Sequence, residues 1–242
     1  MSKTFLAYWP IIALVLVAST LAFNQYQISS ILSPGTSSPE SANTATTTVS
    51  STPSSGKVAE KDLSGVDINK ITSTATSIAA LFPLENVKNA DDIVAIMFPT
   101  GTPSYGKEMG VSFDDPINSL SLLAGAYPAL KAQAQKDPTL WKRYLGLATK
   151  PVGISCEFCC GVGPTGITAA GELKCGCQHS PALQSVTLWL MMNTKYTDAE
   201  ILREVMKWKT LFFPKNMIDL GVQVAGKDAS QLSQLPGMVG GC

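Results

Sequence analysis

The chain has very little histidine and no excess charge of either sign, and each absence excludes a class of protein. Its 242 residues contain a single histidine, His179. A catalytic zinc site with three imidazoles and a His-x-x-x-His metalloprotease helix are therefore both excluded. Lysine plus arginine number 18, as do aspartate plus glutamate, and no Lys/Arg-rich run occurs. Because phosphate neutralisation supplies most of the affinity for nucleic acid, we expect no nucleic-acid partner.

The sequence also lacks motifs that would support catalysis. It contains no G-x-S-x-G, and any serine nucleophile would have only His179 as its base. The adjacent carboxylates Asp114 and Asp115 precede a predicted helix, where their charge complements the helix dipole. No set of acid, base and nucleophile can be assembled, so the sequence favours a function other than catalysis.

Charged residues make up 15% of the chain and hydrophobic residues 45%, and part of this imbalance comes from the N-terminus. Residues 4–23 carry no charge and are long enough for a helix that crosses a bilayer. Residues 1–28 are therefore predicted to be a membrane anchor, with a cleaved signal peptide as the alternative. Lys3 precedes this stretch and the next basic residue is Lys57. The positive-inside bias then predicts a single-pass protein of the cell membrane whose C-terminal domain lies outside the cytoplasm.

The region after the anchor divides into a polar linker and a longer segment. Residues 29–56 are dominated by Ser and Thr, with prolines and one charge, Glu40. This composition cannot bury enough apolar surface to offset chain entropy, so a disordered stalk is predicted. Residues 57–242 are long enough for one domain with its own core.

The fold of this domain is predicted to be mainly α. Three helices share one kind of start, an N-cap residue followed by proline. These starts are Asp115-Pro116, Asp137-Pro138 and Ser180-Pro181. A fourth helix follows the capping box formed by Thr197 and Glu200, and Pro214 is expected to end it. Two further helices are predicted, over 68–82 and near 91–97.

Five of the six cysteines and the only histidine lie between two predicted helices, within residues 156–179, here called the cysteine segment. They form the pattern C-x2-C-C-x14-C-x-C-x-H, with the residues Cys156, Cys159, Cys160, Cys175, Cys177 and His179. A C-x-x-C turn brings two sulfurs to the same side of the chain. The two halves are separated by the length of a small β-hairpin with its turn at 169–172, which would fold the second half onto the first. All six residues are therefore predicted metal ligands.

Three interpretations of the cysteine segment compete. In the first, the segment binds zinc, or else copper or an iron–sulfur cluster, because all three accept thiolates. In the second, the cysteines form disulfides, although such close spacing closes only small loops. In the third, a C-x-x-C dithiol is redox-active, but the expected βαβ context is missing.

The favoured function is that of a membrane-anchored, extracytoplasmic metal-binding protein. Its ion would be a structural zinc, or copper or iron–sulfur for transport or electron transfer. The alternative is a metal-free surface interaction module held by disulfides. The sequence indicates no particular protein partner and leaves the role of Cys242 open.

Overall fold

The computed structural model describes residues 60–157, 166–227 and 229–232. The predicted anchor and stalk lie outside these ranges, and so do the predicted ligands Cys159 and Cys160. Within them the protein is mainly helical, as the sequence predicts. None of the helices in this part of the chain is long and apolar enough to cross a membrane.

The helices follow one another along the chain after a short 3-10 turn at Ile68–Lys70. They are α1 (Thr74–Leu81), α2 (Ala90–Met97), α3 (Gly106–Met109), α4 (Pro116–Ala134), α5 (Pro138–Ala148), α6 (His179–Asn193), α7 (Asp198–Phe212), α8 (Pro214–Val224) and α9 (Ala229–Leu232). The connection from α5 to α6 contains the cysteine segment. Its described part has one antiparallel β-bridge, which pairs Ile167 with Leu173.

Three of the four capped helix starts lie where the sequence predicts them. Asp115 accepts a hydrogen bond from a backbone N–H of the first turn of α4, and Asp137 does the same for α5. The Thr197 side chain accepts from the backbone of Glu200, whose carboxylate accepts in return from the backbone of Thr197. The hydrogen bond from that backbone N–H is the main reason why the pKa of Glu200 lies below its usual value. These helices begin where local side chains satisfy otherwise unpaired N–H groups.

Two other helix starts differ from the prediction. The helix expected over 68–82 is interrupted, because Ser73 and Thr76 form a reciprocal capping box that starts α1 after a break in the chain. Such side chains offer the backbone an alternative to a continuous helix. The α6 helix begins at His179, ahead of the predicted cap, and places Pro181 in its first turn. Proline is tolerated there because the first N–H groups have no partner within the helix.

The centre of the domain is α6, which packs against α4, α5 and α7. Ten of its fifteen residues are buried, and several of them are polar. A helix that is buried nearly all round must lie inside a protein core rather than on its surface. Since α6 begins where the cysteine segment ends, that segment is attached directly to the centre of the core.

A buried hydrogen-bond chain connects α4, α5 and α6. The Tyr144 hydroxyl lies 3.4 Å from that of Tyr127 and donates to Gln184 Oε1 at 2.9 Å. Burial raises the pKa of Tyr144 well above its usual value of 10.0. Because the raised pKa belongs to the folded state, this stabilising contribution is complete below pH 10 and is lost as the pH rises above it.

We therefore expect the free energy of unfolding to fall as the pH rises above 10, and Tyr144→Phe to remove part of that dependence. At neutral pH the variant should lose about 1–3 kcal/mol, because Gln184 Oε1 is left without its donor. Urea unfolding at pH 8 and at pH 11 measures both effects. An alkaline loss of stability equal in the two proteins would contradict this assignment.

Candidate metal centre

Three cysteine sulfurs of the described chain lie together, and we call them the three-cysteine site. Cys177 Sγ lies 3.3 Å from Cys156 Sγ and 3.4 Å from Cys175 Sγ, and all three atoms are within 4.8 Å of one another. Both Cys177 distances exceed the roughly 2.05 Å of a disulfide bond. They approach the separation of about 3.8 Å that a zinc–sulfur bond of about 2.3 Å imposes on two thiolates of one tetrahedral ion. The three sulfurs could therefore bind a metal ion together.

The second half of the cysteine segment reaches the first half through the bridged turn. The Thr168 N–H donates to the carbonyl of Glu172 at 2.8 Å, and the Gly171 N–H donates to the carbonyl of Thr168 at 2.9 Å. The predicted hairpin is thus reduced to one β-bridge and its turn. The turn still reverses the chain, which brings Cys175 and Cys177 back to Cys156.

The chain that precedes Cys156 is held by hydrogen bonds from two helices. The Ser77 hydroxyl on α1 donates to the carbonyl of Val152 at 2.8 Å. The Lys209 ammonium on α7 donates to the carbonyl of Gly153 at 3.1 Å. Gly153 has a φ of +87°, a left-handed conformation that glycine adopts without steric cost. Cys156 therefore follows a backbone segment that is attached to the core.

A buried ion pair lies directly beside the three-cysteine site. Lys209 Nζ is 3.6 Å from Glu157 Oε1, and these side chains are 0% and 7% exposed. Thr74 Oγ1 donates to Glu157 Oε2 at 2.7 Å and accepts from Lys209 at 2.8 Å. Burial lowers the pKa of Lys209, while the negative charges of Glu157 and Cys156 act in the opposite direction.

Sequence reasoning did not identify this ion pair as part of the site. Lys209 lies 56 residues from Gly153 and 135 from Thr74 along the chain. Lysine on an amphipathic helix ordinarily faces solvent, and nothing in its local sequence distinguishes Lys209 from such a residue. Only the tertiary fold reveals its partners.

The three-cysteine site also lies next to the N-terminus of α6. The N-cap residue, Gln178, makes no side-chain capping hydrogen bond. Cys177 immediately precedes it in the chain. The N-terminus of a helix carries partial positive charge, which favours a thiolate close to it. The start of α6 therefore suits the ionised form that a cysteine ligand requires.

The predicted ligand His179 does not belong to the cluster of sulfurs. Its ring centroid lies 4.6 Å from that of Phe213 and 5.6 Å from that of Phe212, at the end of α7. Burial lowers the pKa of its imidazole, and its Nδ1 is buried without a hydrogen-bond partner among the described residues. Three of the six predicted ligands thus lie together, and ligation by His179 stays a prediction.

Compared with known proteins, the chain matches no family model, no curated protein and no solved structure. The described fold and site therefore characterise it by themselves. It is a mainly helical protein with three clustered cysteines that could bind a metal ion.

The turn that brings the second pair of cysteines to the site requires glycine. Gly171 has a φ of +81°, and a Cβ there would lie 2.4 Å from Cζ2 of Trp141 on α5. We expect Gly171→Ala to cost about 1–3 kcal/mol through overpacking and about 1 kcal/mol more through the left-handed backbone. Guanidinium unfolding measures this loss.

Gly125→Ala is the matched control for this substitution. Gly125 lies within α4, and a Cβ there would meet nothing within 4 Å. Alanine is the better helix former, so this change should stabilise the protein by about 0.5–1 kcal/mol. Equal effects of the two alanines would contradict the role of Gly171.

Proposed function

We propose that this protein binds a thiophilic metal ion through the three-cysteine site, and that the ion is zinc. The carrying observation is the cluster of sulfurs from Cys156, Cys175 and Cys177 within 4.8 Å of one another. Thiolates are ligands for zinc, copper(I) and iron–sulfur clusters. Zinc takes four ligands at structural sites, so three clustered thiolates leave one position for a further ligand.

The further ligands we propose come from the same segment of sequence. Cys159 stands at C-x-x-C spacing from Cys156, the spacing that presents two thiolates to one zinc ion. Cys160 and His179 are the other candidates. If both Cys159 and Cys160 ligate, the site has more sulfurs than one zinc ion needs, which favours a polynuclear copper or iron–sulfur centre instead.

The role we propose for the ion is structural. Cys156 lies after α5, whereas Cys175 and Cys177 lie just before α6. An ion held by all three would fix both ends of this connection to each other. Because ligands spread along an unfolded chain form no site, the free energy of metal binding becomes folding free energy.

For the cellular setting, we propose the arrangement that the sequence indicates. The charge-free residues 4–23 would anchor the protein in the cell membrane by a single helix. Residues 57–242 would then lie outside the cytoplasm, joined to the anchor by the stalk. The metal-stabilised surface could bind a protein partner in that compartment.

The second candidate function is a metal-free module held by disulfides. The specific observation in its favour is that Cys177 Sγ lies within 3.4 Å of two other sulfurs, so small rotations would allow a bond to either. An extracytoplasmic location would permit that oxidation.

Elemental analysis of the full-length protein, combined with native mass spectrometry and thiol counting, tests the proposal. The protein is purified in mild detergent under argon, and thiols are alkylated before and after treatment with a strong chelator. We expect about one zinc per chain, with the thiols of the cysteine segment reacting only after chelation. Copper or iron instead of zinc would correct the identity of the metal. Absence of metal together with absence of reactive thiols would overturn the proposal in favour of disulfides.

A further inference from the structure

We propose that the buried Lys209–Glu157 ion pair is a positioning device for Cys156 in the three-cysteine site. The inference rests on the proposed metal binding and extends it to residues that are not ligands themselves. It predicts that affinity for the metal depends on how α1 and α7 hold the chain at Glu157.

The backbone at Glu157 is the first observation. Glu157 has a φ of 60°, and it is the only non-glycine residue with positive φ in the described part of the chain. A residue with a Cβ pays for this left-handed conformation, which persists only where its surroundings fix it. Glu157 directly follows Cys156, so its conformation sets the direction of the chain at that ligand.

The contacts that fix Glu157 are the second observation. One carboxylate oxygen accepts from Thr74 Oγ1 at 2.7 Å, and the other lies 3.6 Å from Lys209 Nζ. The same ammonium donates to Thr74 Oγ1 at 2.8 Å and to the carbonyl of Gly153 at 3.1 Å. These contacts join α1 and α7 to the chain on both sides of Cys156.

Burial and charge supply the third observation. Lys209 is fully buried and Glu157 is 7% exposed, so neither charge can be solvated without moving the backbone that carries it. Lys209 also interacts electrostatically with Cys156. The ammonium therefore offsets part of the negative charge that clustered thiolates accumulate. The ion pair thus fixes the position of Cys156 and favours its role as a ligand.

The experiment compares the full-length wild type with the double variant Glu157→Gln/Lys209→Met, which removes both charges and leaves neither one buried alone. Lys207→Met is the matched control, because it makes the same substitution on α7 and breaks the pair with Glu204. Zinc affinity is measured by competition with a chromophoric chelator. Alkylation rates of Cys156 and Cys177 in the metal-free protein are measured by mass spectrometry. The absorption spectrum of the cobalt(II)-substituted protein reports the geometry of the thiolates.

We expect the double variant to bind zinc about 10- to 100-fold more weakly, the range observed when outer-shell partners of metal ligands are removed. Its cobalt spectrum should shift, and Cys156 should be alkylated several-fold faster relative to Cys177. Lys207→Met should match the wild type in all three measurements. Thr74→Val provides a milder test, since it removes only the hydrogen bond to Glu157 and should weaken zinc binding about 3- to 10-fold.

The outcomes separate this inference from the proposed function. If the wild type binds zinc and the double variant binds it equally well with an unchanged cobalt spectrum, the positioning role is overturned while metal binding stands. If the wild type binds no metal, the proposed function fails, and the alkylation rates alone decide. An unchanged rate at Cys156 then overturns the positioning role, whereas a faster rate that is specific to Cys156 supports it.

Discussion

Cys177→Ser is expected to weaken zinc binding by more than about 100-fold, because loss of an outer-shell partner alone costs about 10- to 100-fold. Cys177 is the shared neighbour in the three-cysteine site, lying 3.3 Å from Cys156 Sγ and 3.4 Å from Cys175 Sγ. A serine hydroxyl cannot replace a thiolate as a soft ligand. Zinc affinity by chelator competition and zinc content by elemental analysis both measure the loss.

Thermal unfolding with and without zinc gives a second measure of the same substitution. A ligand that binds only the folded state stabilises it, so added zinc should raise the Tm of the wild type and leave that of Cys177→Ser nearly unchanged. Cys242→Ser is the control, because it removes a cysteine outside the cysteine segment. Equal zinc affinity in wild type and Cys177→Ser would remove Cys177 from the ligand set.

Lys209→Met alone is expected to lower the free energy of unfolding by about 3–5 kcal/mol. The substitution leaves the Glu157 carboxylate 7% exposed and without its ammonium partner. An uncompensated charge in the interior is costly, whereas replacing both members of a buried pair is often nearly neutral. Adding Glu157→Gln should therefore recover most of the loss. Guanidinium unfolding at pH 7 measures the three proteins.

Lys207→Met shows what an equivalent change costs away from the site. Lys207 pairs with Glu204 and with Glu60, and its side chain is 18% exposed, so solvent screens these charges more than those of Lys209. We expect a cost of about 1 kcal/mol or less. If Lys209→Met cost no more than this, the buried pair would not be holding the chain beside Cys156.

The helix starts that the sequence predicts correctly are those that depend on a few neighbouring residues. Asp115 and Asp137 cap N–H groups two or three positions ahead, and Thr197 exchanges hydrogen bonds with Glu200. Such contacts form wherever the local sequence allows them. The break before α1 is equally local, but the prediction of one helix over 68–82 did not take account of the Ser73–Thr76 capping box.

The start of α6 was not predictable in this way. The sequence offers Ser180-Pro181 as a cap, yet Ser180 is buried and its hydroxyl has no hydrogen-bond partner among the described residues. The helix instead begins at His179, whose ring packs against Phe212 and Phe213. Packing against the end of a helix about thirty residues further on therefore accompanies the earlier start, and no local pattern encodes such a contact.

The sequence by itself determined the helical class of the described domain and the concentration of thiols in one connection, because both are properties of neighbouring residues. Only the tertiary structure decided that Cys156, Cys175 and Cys177 lie together while His179 packs elsewhere. It also decided that Lys209 is buried beside them. These contacts join residues far apart in the chain, and they form only when α1, α6 and α7 pack around the connection that carries the cysteines.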